Sequence, residues 1–223
     1  MRYVFQFGIV ADHRDALVEG ALATLRLSLM AMVFGLAIAV LCAFARRARS
    51  RPLAWSVTAY VEVIRNTPLL VQLFVIYFSL PALGIRLEAQ EAAVVGLSLN
   101  LGGYATEIIR AGLDAVPRGQ IEAGRALGLT RLQIFRFIML FPALRTVYPA
   151  LASQFVILLL GSSIVSAISA TELTAITNTL QSTTFRAFEF YFAATAIYLL
   201  LAVAVRLSLD AIGWAVFVRG RAW

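Results

Sequence analysis

Nineteen consecutive residues, Leu27 to Ala45, carry no charge and are bounded by Arg26 and Arg46. Crossing the hydrocarbon of a bilayer takes about 20 such residues in a helix, because lipid offers the backbone no hydrogen-bond partners. Four further predominantly apolar stretches follow, at Val61–Leu80, Ala92–Ile109, Val147–Ala167 and Phe190–Val205. The expected fold is therefore an all-α membrane protein with five transmembrane helices, forming a single transmembrane domain over residues 1–223. Composition agrees: 61% hydrophobic and 14% charged residues give more apolar surface than one soluble core of 223 residues can hide. Along the first span Ala31, Gly35, Ala39 and Ala43 recur every fourth residue, a small-residue stripe that lets a second helix approach closely in lipid.

The net charge of +7 comes wholly from arginine, since the chain has no lysine. Arg46, Arg47, Arg49 and Arg51 follow the first span, Arg110, Arg118, Arg125, Arg131, Arg136 and Arg145 follow the third, and Arg206, Arg219 and Arg221 follow the fifth. The alternate loops hold Arg86 beside Glu88 and Glu91, and Arg186 beside Glu172 and Glu189. By the positive-inside rule the chain is expected to be N-out and C-in, and an odd number of spans agrees with termini on opposite sides. Arginines that flank apolar spans are topology signals; they do not form the aromatic-interleaved basic face that nucleic acid needs. Met1–Gly20 holds Asp12, Asp15 and Glu19 and no apolar core ending in a cleavage site, so the first span is expected to stay in the mature protein.

Several chemistries find no residues to carry them. One cysteine, Cys42 within an apolar run, gives neither a disulfide framework nor a cysteine zinc site, and no metal site is expected. The single histidine, His13, precedes the first span, so a hydrolytic nucleophile within the membrane lacks its usual base and no catalytic residues are assigned. An ion-coupled transporter would need titratable groups near the midplane and commonly an internal repeat; neither is visible. A P-loop needs a lysine for the terminal phosphates, so the chain has no Walker-type site of its own.

The longest arginine-rich segment, about residues 117–142, is predicted to be folded. Pro117 suits the first turn of a short helix and Gly128 its left-handed C-terminal cap. Arg118, Glu122 and Arg125 form a polar stripe, with Ile121, Gly124 and Leu127 on another face. Thr130 and Gln133 make a capping box for a second helix expected to end at Pro142, so the segment is a helical hairpin built to dock.

The run from Gly119 to Gly128 resembles the EAA loop of permease subunits of binding-protein-dependent ABC importers, with Glu122, Ala123, Gly128 and Pro142 at the matching positions and Gly124 where alanine is usual. Arg65-Asn66-Thr67-Pro68-Leu69-Leu70-Val71-Gln72 is similar to the RGTPLLVQ run of the polar amino-acid branch, with Asn66 in place of glycine, and Gly103 to Arg110 is similar to that branch as well. The resemblance implies the type I importer fold in a bacterial inner membrane. It implies a coupling helix whose Gly119, Gln120, Glu122, Ala123, Gly124, Arg125 and Gly128 meet an ATPase subunit. ATP and magnesium would be bound by that partner, and no cofactor by this chain. Further implied partners are a second permease subunit, as homodimer or heterodimer, a periplasmic or surface substrate-binding protein, and an amino-acid substrate. Where many members of the branch carry a lysine and an acidic or amide residue before the paired hydroxyls of the fourth span, this chain has Leu160 and Gly161.

Two E-x-x-R pairs, Glu62 with Arg65 and Glu107 with Arg110, sit toward the inner ends of their spans and are candidates for an inner gate. Pro68 removes a donor to the Ile64 carbonyl and should break the second span, with Thr67 as the cap of the new helix. Polar groups deeper in the spans, Gln72, Asn100, Tyr104, Gln154, Ser162 and Ser163, are the candidate substrate-lining residues.

Overall fold

A computed structural model describes residues 3–48 and 50–217, so Arg49, Arg219 and Arg221 of the topology argument lie outside the described residues. Among the described residues the chain is helical, without strands. Four helices among the described residues are long and apolar enough to cross a membrane, and five if a bent pair that passes the same test together counts as one span.

A short helix, α1 (Gly8–Asp12), leads into α2 (Arg14–Arg46), whose 33 residues span about 50 Å at 1.5 Å per residue. It starts well before the uncharged run because Leu17, Gly20 and Thr24 are buried, and a Cβ at Gly20 would lie 3.0 Å from the Leu173 Cα. The small-residue stripe is the buried face: Ala31, Gly35, Ala39 and Ala43 are all enclosed. Its partner is α5 (Ala89–Asp114), which runs parallel to it. Leu101 fills the space over Gly35 and Ile38 that over Gly102.

The second span is two arms bent by 112°, α3 (Arg51–Arg65) and a second arm over Leu69–Leu83 that begins as α4 (Leu69–Phe74). The break at Pro68 is as the sequence predicts, but Thr67 does not cap the new helix. Its hydroxyl donates to the Val63 carbonyl of α3 at 2.7 Å, and the N-cap position belongs to Pro68 itself.

After α6 (Arg118–Ala126), α7 (Arg131–Gln133) runs through a π segment, Ile134–Met139, into α8 (Leu140–Gly161) and a final 3-10 turn, Ser162–Ile168. The helix therefore does not end at Pro142. The wide π turn lies just where the proline ring would meet the Ile138 carbonyl of a regular helix, and its looser geometry accommodates the ring. α8 packs antiparallel to α5, so closely that a Cβ on Gly112 would come within 2.0 Å of a Val147 methyl.

Helix α9 (Leu173–Thr184) lies across the end of the bundle opposite the arginine clusters. Its N-cap is Glu172, fully buried, which accepts from the Thr174 and Ala175 amides at 2.8 and 2.7 Å and from the Tyr198 hydroxyl. The last helix, α10 (Ala187–Phe217), extends well past the predicted Val205 and runs down α8, where the Tyr148 hydroxyl donates to the Leu209 carbonyl.

Candidate functional site

Helix α6 is made to stand on its own. Pro117, in an extended conformation, is the cap and not the first helical residue, and Arg118 begins the turn. At the other end Gly128 has φ +76°, its amide donates to the Arg125 carbonyl at 3.0 Å, and the Leu129 amide donates to that of Gly124 at 3.1 Å. This is the Schellman pattern, which satisfies the last carbonyls without a neighbour. Thr130 and Gln133 form the expected capping box of α7, with the Thr130 amide donating to the Gln133 side chain at 2.8 Å.

The hairpin closes on Gly124, the buried residue of α6. A Cβ there would come within 2.5 Å of the Ile138 Cδ1 and 3.2 Å of Ile134, both in the π segment. Ile121 joins a small cluster around Leu113, Val116 and Ala143 that seats the hairpin on the ends of α5 and α8. Leu127 is not on that face; it terminates the helix and is 79% exposed. Gly119, Gln120, Glu122, Ala123 and Arg125 are exposed as well, so a short rigid rod presents a mixed polar and apolar face to whatever meets it.

Beside the hairpin, a chain of charges ties the ends of α2 and α5. Arg46 pairs with Glu107, Arg110 donates to Glu107 at 2.9 Å and to Asp114 at 2.8 Å, and Arg47 reaches Asp114 at 2.6 Å. The predicted Glu107–Arg110 pair is thus one link of a five-membered cluster. Glu62 and Arg65 do not pair with each other. Glu62 accepts from the Asn66 amide at 3.0 Å, and the Arg65 guanidinium lies 5.9 Å from the Tyr104 ring centre. Asn66, the residue that ends α3, folds back on Glu62, its side-chain amide also donating to the Glu62 carbonyl at 2.8 Å. Arg46, Arg47 and Asp114 completed the cluster unannounced. Asp114 is one turn beyond Arg110 and could have been read from spacing; Arg46 is contributed by another helix and could not.

At the break, the Ile64 carbonyl that Pro68 leaves without a donor is taken by the Gln72 side-chain amide at 2.8 Å. The same amide reaches the Thr67 carbonyl and hydroxyl at 3.1 and 2.9 Å, and the Gln72 oxygen accepts from Asn100 at 3.0 Å. Leu69 extends to Gly161 at the end of α8, so the start of α4 lies beside the turn that carries Ser162 and Ser163. Both serine hydroxyls are turned onto their own helix, to the Leu159 and Leu160 carbonyls at 2.7 and 2.9 Å. Tyr104 stands apart with Arg65, and Gln154 is half-buried two turns below Gly161.

The profile of a family described as "Binding-protein-dependent transport system inner membrane component" matches residues 23–216. The chain belongs to that family. This permease is 41% identical over 150 residues to the L-cystine transport system permease protein of Bacillus subtilis, covering 67% of this chain and 64% of that one. It is 36% identical over 191 residues to the glutamine transport system permease protein of Escherichia coli, covering 85% and 87%. Among solved structures, a chain of an amino acid ABC transporter with histidines superposes with a TM-score of 0.90 at 34% identity, over 96% of the permease and 100% of that chain. The MetNI methionine transporter in an inward-facing state gives 0.74 at 25% identity, over 92% and 97%. The permease is therefore a membrane-spanning subunit of a type I ABC importer, and its relatives include amino-acid permeases.

Proposed function

We propose that the permease moves a polar amino acid across the bacterial inner membrane by alternating access, with α6 as the coupling helix that receives movement from a separate ATPase subunit. The observation that carries this reading is the capped, outward-facing α6 on a packed hairpin: a rod fixed at both ends transmits a push, whereas a tether absorbs it. The chain contains no lysine for a P-loop, so ATP and magnesium sit on the ATPase. The arginine-rich end, with Arg46, Arg110 and Arg118, faces the cytoplasm, giving N-out and C-in. A second permease chain, identical or homologous, completes the path, and an external binding protein delivers the amino acid. Gln72, Asn100, Ser162 and Ser163 lie where that path would pass, and Glu107 with Arg110, Arg46 and Asp114 closes its inner end.

The test is purification of the permease with its neighbouring gene products, followed by ATPase and uptake assays in proteoliposomes with the binding protein added. Gly128→Asp should insert normally yet lose substrate-stimulated ATP hydrolysis, because aspartate strains the left-handed cap and adds charge at the docking face. Normal uptake by this variant, or failure of any ATPase to copurify, would overturn the assignment.

A further inference from the structure

A cavity of about 310 Å³ opens between α2, α5, α8 and α10 in the arginine-rich half of the bundle. Among its lining residues only Tyr148 has a polar side-chain atom, and that hydroxyl is spent on the Leu209 carbonyl. Water has nothing to bond there, and an apolar cavity of this kind stays dry. Along α8 the lining runs from Leu140 to Phe155, roughly 22 Å at 1.5 Å per residue, against about 15 Å for one leaflet of hydrocarbon. Its wall includes Leu144, which is 45% exposed, so the cavity communicates with the outside of the bundle. Shape, depth and chemistry match an extended hydrocarbon chain.

The acidic residues next to the lining are paired, Asp114 after Leu113 with Arg47 and Arg110, and Asp210 after Leu209 with Arg206 at 3.0 Å, which leaves the unpaired charge positive. Arg136 follows the lining residue Phe135 and Arg145 follows Leu144; both are exposed, and neither forms an ion pair among the described residues. Arg47, one turn beyond Phe44, is held by Asp114. A guanidinium at headgroup level binds a phosphate through two parallel donors. We propose that the cavity holds one acyl chain of an anionic phospholipid from the leaflet at the arginine-rich end, with its headgroup on the side of the opening that carries Arg145 and Arg136.

The intact transporter would be reconstituted in nanodiscs of equal phosphatidylglycerol and phosphatidylcholine with identical acyl chains, extracted, and weighed by native mass spectrometry. Wild type should retain phosphatidylglycerol several-fold over phosphatidylcholine. Leu144→Trp, which fills the opening, should lose that lipid at unchanged monodispersity. Arg136→Gln with Arg145→Gln, at exposed positions where folding is not at stake, should lower phosphatidylglycerol to the phosphatidylcholine level. Equal retention of the two lipids by wild type, or undiminished retention by the arginine double variant, would overturn the proposal. So would a disulfide between Leu144→Cys copies in two adjacent permease chains, since protein would then cover the opening.

Discussion

Arg46, the last residue of α2, and Glu107 of α5 form an ion pair across 61 positions of sequence. Glu107 is 16% exposed and holds Arg110 as well, so replacing it leaves Arg46 without its acidic partner and Arg110 with Asp114 alone. Glu107→Gln should lower stability by about 1–3 kcal/mol, between the values for exposed and buried pairs, read as a lower thermal midpoint in detergent. Arg46→Gln should cost less in the Glu107→Gln background than alone. If the cluster also closes the inner end, transport by Glu107→Gln at matched expression should fall; equality with wild type would remove the gate.

Gln72 replaces the hydrogen bond that Pro68 deletes. Gln72→Leu should leave the Ile64 carbonyl without a partner and destabilise the permease by about 1–3 kcal/mol. Asn100→Ala loses only the outer link of the network and should cost less. A larger effect of Asn100→Ala on stability than of Gln72→Leu would contradict this order.

The contact of α5 with α8 turns on one missing methyl group. Gly112→Ala should cost about 1–3 kcal/mol by overpacking, because its Cβ would overlap Val147 and sit 3.2 Å from the Ala143 carbonyl. Val147→Ala in the same chain should restore much of that loss, and the double-variant thermal midpoint checks it.

Glu172 gives a pH-dependent prediction. Burial pushes its carboxyl above the usual glutamate range, against the lowering effect of the Tyr198 hydroxyl and the Thr174 and Ala175 amides. A raised value means the folded chain favours the proton, so its contribution is complete below the ordinary value and fades as pH rises through the raised one. The thermal midpoint of wild type relative to Glu172→Gln should therefore climb as pH falls from about 8 to about 5. A difference that is flat over that range would count against it.

How much of this was legible in the sequence depended on how local each cause is. The spans were legible because uncharged length is enough to announce them, and the Pro68 break because a missing donor acts within one turn. The Gly128 cap of α6 and the capping box of α7 were legible for the same reason. Span limits came out short: α2 reaches back to Arg14 only because Gly20 meets Leu173, a partner 153 positions away by number. The end predicted at Pro142 failed because nothing in six residues such as Ile134–Met139 signals a wider turn. Arg46 read as a topology signal and proved also to be a partner of Glu107, since charge composition says nothing about which helices lie side by side.

The π segment leaves the permease with a spare residue. A helix wound five residues to the hydrogen bond holds one more than regular geometry needs, and here the surplus sits between the docking rod and the long span behind it. Removing Phe137, which is 66% exposed, would return the stretch to ordinary pitch while α8 kept its azimuth toward α5. Removing a residue anywhere later in α8 would turn everything beyond it by about 100° and swap its lipid and protein faces. The hairpin thus contains a place, as the π turn at Val75–Ser79 in the second span is another, where the chain's length and its rotation are uncoupled.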